Sequence, residues 1–234
     1  MDSKDLHYNY SLELLAKNPI FKNLDEATLE SLLSGFSYKK WEKNTEFFHG
    51  DQTLYKFYIV LSGRLKMYQV DVEQGREFTV FLLKQNDLFD VISLMDGHKH
   101  SMNIETIDDC ELLCAPMHLM RHWIEEHPEI NKTLLPYVAS RMRILETNLT
   151  DNVLSDIPTR LAKLMLSYVD EQSHKLKLIN DLSHDEIANM IGSTRAVVNR
   201  HIQSFKKSGI LDIHRKNTDI LDLHLLEERV TDRR

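Results

Sequence analysis

The sequence predicts an α+β chain in three consecutive parts: a strand-rich N-terminal domain, one long helix and a C-terminal winged helix-turn-helix. Three observations carry this. Residues 38–116 break into short aromatic and β-branched runs separated by turn residues. Residues 129–156 then place apolar side chains at spacings of three and four. Residues 182–205 hold a capped two-helix pattern with a glycine at its centre.

Taken in order, a short helical pattern from Leu24 to Leu33 precedes the strands. Phe57–Leu61, Leu65–Val70, Phe78–Leu83 and Glu111–Ala115 are the predicted strands. Gly50-Asp51, Ser62-Gly63, Glu73-Gln74-Gly75, Asn86-Asp87 and Asp96-Gly97 are the predicted turns. Regular short strands with tight turns predict a sandwich or small barrel, a container able to hold a small molecule. The two cysteines, Cys110 and Cys114, fall on one face of a strand. They are too few for a disulfide framework or a four-ligand metal site, and read as a packed apolar pair.

In the long helix, Leu135, Val138, Met142, Leu145, Leu149 and Val153 approach a heptad seam, with polar residues over most of the remainder. Such a stripe packs on its own domain or on a second copy. Dimerisation is the preferred reading, because a helix-turn-helix gains affinity and operator symmetry from pairing. The domain boundaries expected are 1–128, 129–156 for the dimerisation helix, and 157–234. A hinge at Leu154–Pro158 separates the last two, with Asp156 as cap and Pro158 in the first turn of a helix running from Thr159 to Val169. A hairpin-like stretch at Lys175–Leu178 leads onward.

Ser183 with Glu186 forms a capping box that starts the first helix of the reading motif. Ile187, Ala188 and Ile191 are its apolar face. Gly192 supplies the turn, and Ser193 or Thr194 caps a second helix that buries Val198, Ile202 and Phe205. Arg195, Asn199 and Arg200 point the other way, as base and phosphate contacts require. Ile210–His214 and Ile220–Leu223, joined by Arg215–Asp219, are read as the wing. The expected DNA-binding set is Ser193, Thr194, Arg195, Ala196, Asn199, Arg200, Lys206, Lys207, Arg215 and Lys216.

The net charge of −7 is no obstacle to this. Between Ser193 and Asn217 stand six basic residues and one acid, Asp212. The field that phosphates feel is local, within about 8–10 Å at physiological salt. Apolar runs are too short to span a bilayer and the chain opens with acidic and polar residues, so a cytoplasmic location without membrane contact is expected. Nothing forms a nucleophile elbow, a metal-ligand motif or a phosphate-cradling glycine loop, which argues against an enzyme. Ser183-His184-Asp185 is no triad, since neighbours at a helix start cannot face one another.

The order of parts resembles the Crp/Fnr family of bacterial transcription regulators over nearly the whole chain. The likeness rests on Gly50-Asp51, Phe57 to Tyr68, Asn86-Asp87-Leu88-Phe89 and Ile187 to Arg200. It implies a β-roll or jelly-roll sensor domain like that which binds cyclic nucleotides, and a homodimer on a palindromic operator of double-stranded DNA, in contact with RNA polymerase.

Its implied effector pocket is Asp90, Val91, Ser93, His100, Ser101, Leu145 and Glu146. Cyclic-AMP-binding members use a Gly-Glu pair and an Arg-Ser pair; here the matching positions are Asp90-Val91 and His100-Ser101. Valine accepts no ribose hydrogen bond, histidine replaces a permanent cation poorly, and a buried Glu146 would repel a phosphate. These departures argue against cyclic AMP. The iron–sulfur members need four cysteines, which excludes that cluster. Haem stays open as an effector, with His49, His98, His100, His118 and His122 in the sensor, as do another small molecule and a ligand-binding module acting through protein contacts. At the matching DNA-reading place, Ala196 stands where the family often has a glutamate, so the half-site should depart from the usual consensus.

Overall fold

The computed structural model describes residues 3–48, 55–170, 172–214 and 217–231. The chain divides into two compact units, residues 1–68 with 81–143 and residues 69–80 with 144–234.

The first unit opens with helices α1 (Ser3–Lys17) and α2 (Glu26–Ser34). Asp25 caps α2 by accepting the Thr28 N–H at 2.8 Å. The short apolar pattern of Leu24–Leu33 located α2. It missed α1, where Leu15 is buried and Leu12 and Leu14 pack beside it at the end of a largely polar helix.

Eight strands follow: β1 (Ser37–Trp41), β2 (Glu46–Phe48), β3 (Lys56–Ser62), β4 (Leu65–Asp71), β5 (Arg76–Leu83), β6 (Leu88–Phe89), β7 (Asn103–Thr106) and β8 (Cys110–Pro116). They form two four-stranded sheets, ordered β1-β8-β3-β6 and β2-β7-β4-β5. All four expected strands are present. Those missed are two to five residues long, and β1, Ser-Tyr-Lys-Lys-Trp, offers no buried alternation to read. The β3–β4 turn requires Gly63: at φ +83 a Cβ would lie 2.5 Å from the Asp109 carbonyl oxygen.

Helices α3 (Val91–Asp96) and α4 (Met117–Glu126) complete this domain. Its core joins Leu15, Phe21 and Leu32 to Phe57, Ile59 and Leu113, with Met117 and Trp123 closing one side. Fully burying such a side chain contributes about 1.5–3 kcal/mol. Cys110 and Cys114 are both buried as free thiols on β8, in keeping with a packed apolar pair.

After one 3₁₀ turn, α5 runs unbroken from Asn131 to Leu154. The boundary between units falls within it, at Arg143/Ile144. Leu134 alone is fully buried. Leu135, Met142, Leu149 and Val153 are 56–72% exposed, while Val138 and Leu145 are half-buried.

In the second unit, α6 (Ile157–Tyr168) starts at Asp156, whose carboxylate accepts the Thr159 N–H at 3.1 Å. Then come α7 (His184–Met190), α8 (Arg195–Lys207), β9 (Leu211–His214), β10 (Asn217–Ile220) and α9 (Leu223–Thr231). Around Lys175 the chain makes two isolated antiparallel bridges, Val169 with Leu176 and Lys175 with Asp219.

The wing differs from expectation. Its second strand is Asn217–Ile220 rather than Ile220–Leu223, paired so that His214 faces Asn217. Asn-Thr-Asp carries no apolar alternation, so pattern reading passed over it. Leu223 instead begins α9, where Asp222 accepts the Leu225 N–H at 2.9 Å and Leu226 is buried. Among the described residues no helix is long and apolar enough to cross a membrane.

Candidate nucleic-acid interface and effector site

The reading motif is built as its sequence requires. Glu186 accepts the Ser183 N–H at 2.6 Å while the Ser183 hydroxyl accepts the Glu186 N–H at 3.2 Å. Gly192 takes φ +61 in the turn, and the Ser193 N–H closes on the Ala188 carbonyl at 2.9 Å. Thr194 occupies the cap position of α8, but its side chain makes no cap hydrogen bond, a departure from the capping expected of Ser193 or Thr194. Val198, Ile202 and Phe205 are buried, which turns Arg195, Ala196, Asn199 and Arg200 outward; all four are exposed, as is Thr194, while Ser193 is half-buried. Gln203 belongs to the same face, one turn beyond Asn199 and Arg200. The expected set omitted it, although its spacing was readable.

The basic residues divide by partner. Arg195 lies 3.4 Å from Asp185, both exposed. Asp212 holds Lys206 at 2.7 Å and His214 at 2.8 Å, and these contacts keep its carboxyl below the usual range. Arg200 and Lys207 are exposed and make no ion pair among the described residues. Arg215 and Lys216, expected at the wing tip, lie outside the described residues, as do Gly50-Asp51 and His49.

A polar clasp fastens the reading turn to the end of α5. From α6, the Arg160 guanidinium donates both to the Asn152 side chain and, at 2.8 Å, to the Ile191 carbonyl. Lys163 pairs with Asp151 and reaches Ser155 at 3.4 Å. Gly192 completes the fit, since a Cβ there would lie 2.9 Å from Asn152 Oδ1.

In the first unit, the expected effector residues fall around α3. Asp90 occupies the position before α3 with φ 65 and ψ 25, and it is buried with Val91 and Ser93. Burial alone pushes its carboxyl up to about 8. His100 Nδ1 is 4.0 Å from Asp90 Oδ1, and burial lowers the His100 imidazole. Ser101 is exposed. Leu145 and Glu146 belong to the second unit, where Leu145 is half-buried and Glu146 is exposed rather than buried as expected. Of the histidines weighed as haem ligands, His98, His118 and His122 are exposed, and His98 lies 3.7 Å from Asp96.

Two four-stranded sheets, a long helix and a winged reading motif define a DNA-binding regulator with an effector-type β domain. Family models bear this out: residues 38–127 match the cyclic nucleotide-binding domain and residues 159–229 the Crp-like helix-turn-helix domain. The global nitrogen regulator of a Nostoc strain is 32% identical over 189 residues, 77% of this chain and 83% of that protein. The CRP-like cAMP-activated global transcriptional regulator of Mycobacterium tuberculosis is 26% identical over 221 residues, 93% of this chain and 98% of that protein. A solved structure from Eubacterium rectale, described as a transcriptional regulator of the Crp/Fnr family, superposes with a TM-score of 0.69 at 23% identity, covering 91% of this chain and 98% of that one. The chain belongs to the Crp/Fnr family of transcription regulators, which are not enzymes.

Proposed function

We propose that this chain works as a homodimer that reads a palindromic operator through α8, without cyclic AMP as its effector. The observation that carries the DNA reading is the outward face of α8: Arg195, Asn199, Arg200 and Gln203 exposed on one side, Val198, Ile202 and Phe205 buried on the other. A rigid helix with that division suits the major groove, where arginine forks onto guanine O6 and N7. Ala196 offers a methyl to thymine where a glutamate would accept from cytosine. Ser193, Thr194, Lys206 and Lys207 suit the flanking phosphates, and Arg215 and Lys216 complete the basic set by sequence.

Pairing is supported by α5, where Leu135, Met142 and Leu149 recur every seven residues and are 56–68% exposed. An exposed apolar seam of this length is covered in a stable protein, and members of the family act as dimers. Two recognition helices would then meet half-sites about 34 Å apart. Bound at a promoter, such a dimer would have RNA polymerase as its partner.

Independence of cyclic AMP is supported by side-chain chemistry. Val91 offers no acceptor to a ribose hydroxyl, and His100 is held toward its neutral form by burial. The test is selection from random-sequence DNA by the purified chain, with and without cyclic AMP. A two-fold symmetric motif recovered equally in both arms is expected; an asymmetric motif, or one recovered only with cyclic AMP, contradicts the reading.

A further inference from the structure

Asp90 concentrates three costs that no hydrogen bond among the described residues offsets. Its backbone is left-handed, a region that favours glycine. Its side chain is wholly buried, and neither carboxyl oxygen has a hydrogen-bond partner among the described residues. It does not cap α3. One turn on, the Ser93 hydroxyl is also fully buried with no partner among the described residues. Buried polar groups are satisfied almost everywhere in proteins, so two orphans on one short segment mark a site awaiting a ligand.

The chemistry around them selects that ligand's charge. Arg121, the guanidinium against α3, donates to the carbonyls of Leu94 at 3.1 Å and of Ser93. His100, at 4.0 Å, stands beyond hydrogen-bond distance of Asp90, and Tyr58 on β3 is the other titratable group that feels the Asp90 charge. Asp96 acts on His100 in turn. Arg121 is committed to those carbonyls, so an anion would find no counter-charge at Asp90, whereas a cation would find one as soon as the carboxyl ionises.

We propose that Asp90 and Ser93 form the polar floor of an effector site for a small organic cation, an amine or guanidine whose N–H groups satisfy the carboxylate and the hydroxyl. Solvent does not reach these atoms in the present conformation, so entry displaces residues 97–102, which lie outside any helix or strand. Burial keeps Asp90 protonated up to about pH 8. Binding of the cation therefore expels a proton, and affinity rises with pH between 6.5 and 8. The inference goes beyond the operator reading and does not depend on it.

The experiment is thermal unfolding of the full chain at pH 6.5 and 8, with agmatine and putrescine as probes against inorganic phosphate and cyclic AMP. Asp90→Asn removes the charge and keeps the shape; Asp90→Gly also removes the backbone cost. A cation should raise the Tm by about 3 °C or more at saturation, more at pH 8, and the anions should not. Both variants should lose that response, and Asp90→Gly should melt above the wild type without ligand. The proposal is overturned if neither cation shifts the wild type, if Asp90→Asn responds equally, or if Asp90→Gly melts lower, which would make Asp90 a structural residue. No DNA enters the measurement, so its failure leaves the operator reading standing.

Discussion

Tyr137 brackets the backbone of Leu88: its hydroxyl accepts the Leu88 N–H at 2.9 Å and donates to the Leu88 carbonyl at 3.0 Å. One turn along α5, Arg141 pairs with buried Asp87 and lies 4.6 Å over the Tyr137 ring. The short strand that leads into Asp90 is thereby pinned to the long helix. Tyr137→Phe keeps the ring and strands a buried donor and acceptor. Its expected cost is about 1–3 kcal/mol in urea unfolding. A loss under about 0.5 kcal/mol would mean that water takes over both bonds.

The Arg160 clasp makes a second prediction. Arg160→Ala leaves the Asn152 amide and the Ile191 carbonyl without their donor, so stability should fall by about 1–3 kcal/mol. Operator affinity, read by fluorescence anisotropy, should fall as well, because the same contacts set the reading turn against α5. Gly192→Ala should act in the same direction: it strains a left-handed turn and drives a methyl into Asn152. Unchanged operator binding in a folded Arg160→Ala protein would remove the clasp from the account.

For DNA contact, two substitutions should behave differently. Arg200→Ala should cost about 1–3 kcal/mol on the preferred site and relax specificity at one position. Lys207→Ala should weaken all duplexes alike and reduce the salt slope by about 0.9. Competition anisotropy across sodium chloride concentrations separates the two. Equal losses on specific and random duplexes for Arg200→Ala would assign it to phosphate rather than base.

These contacts mark where sequence reading stopped. Ser183 with Glu186, Gly192 and the Val198–Ile202–Phe205 stripe are local signals, and the structure has each where periodicity put it. The clasp joins Asn152, Arg160 and Ile191 across a helix break, a separation no period encodes. The wing slipped by three residues because Asn217, Thr218 and Asp219 form a strand from backbone pairing alone. Asp90 and His100 were legible as departures from a family pattern, yet burial, the property that makes Asp90 unusual, appears only in three dimensions.

Stability should depend on pH through that residue. The Asp90 carboxyl rises from 3.8 to about 8 on folding, so between those values the folded chain holds a proton that the unfolded chain has released. Its contribution is therefore present at low pH and is lost as pH rises through the window, levelling above about 8. His100 works oppositely: its lowered imidazole makes the unfolded chain the better proton binder, so stability falls as pH drops below about 6.5. Between pH 6.5 and 8 the Asp90 slope stands by itself of this pair. Urea unfolding across that interval should show declining stability in the wild type and a flatter profile in Asp90→Asn. Parallel profiles would assign the decline to other groups.

The central claim is a dimer that reads two half-sites, and comparing a full palindrome with its isolated half-site in one anisotropy titration tests it most directly. The account predicts two chains bound per full site, with affinity at least about tenfold above the half-site, since the second contact is then intramolecular. One chain per duplex, with equal affinity for half and full sites, would contradict it.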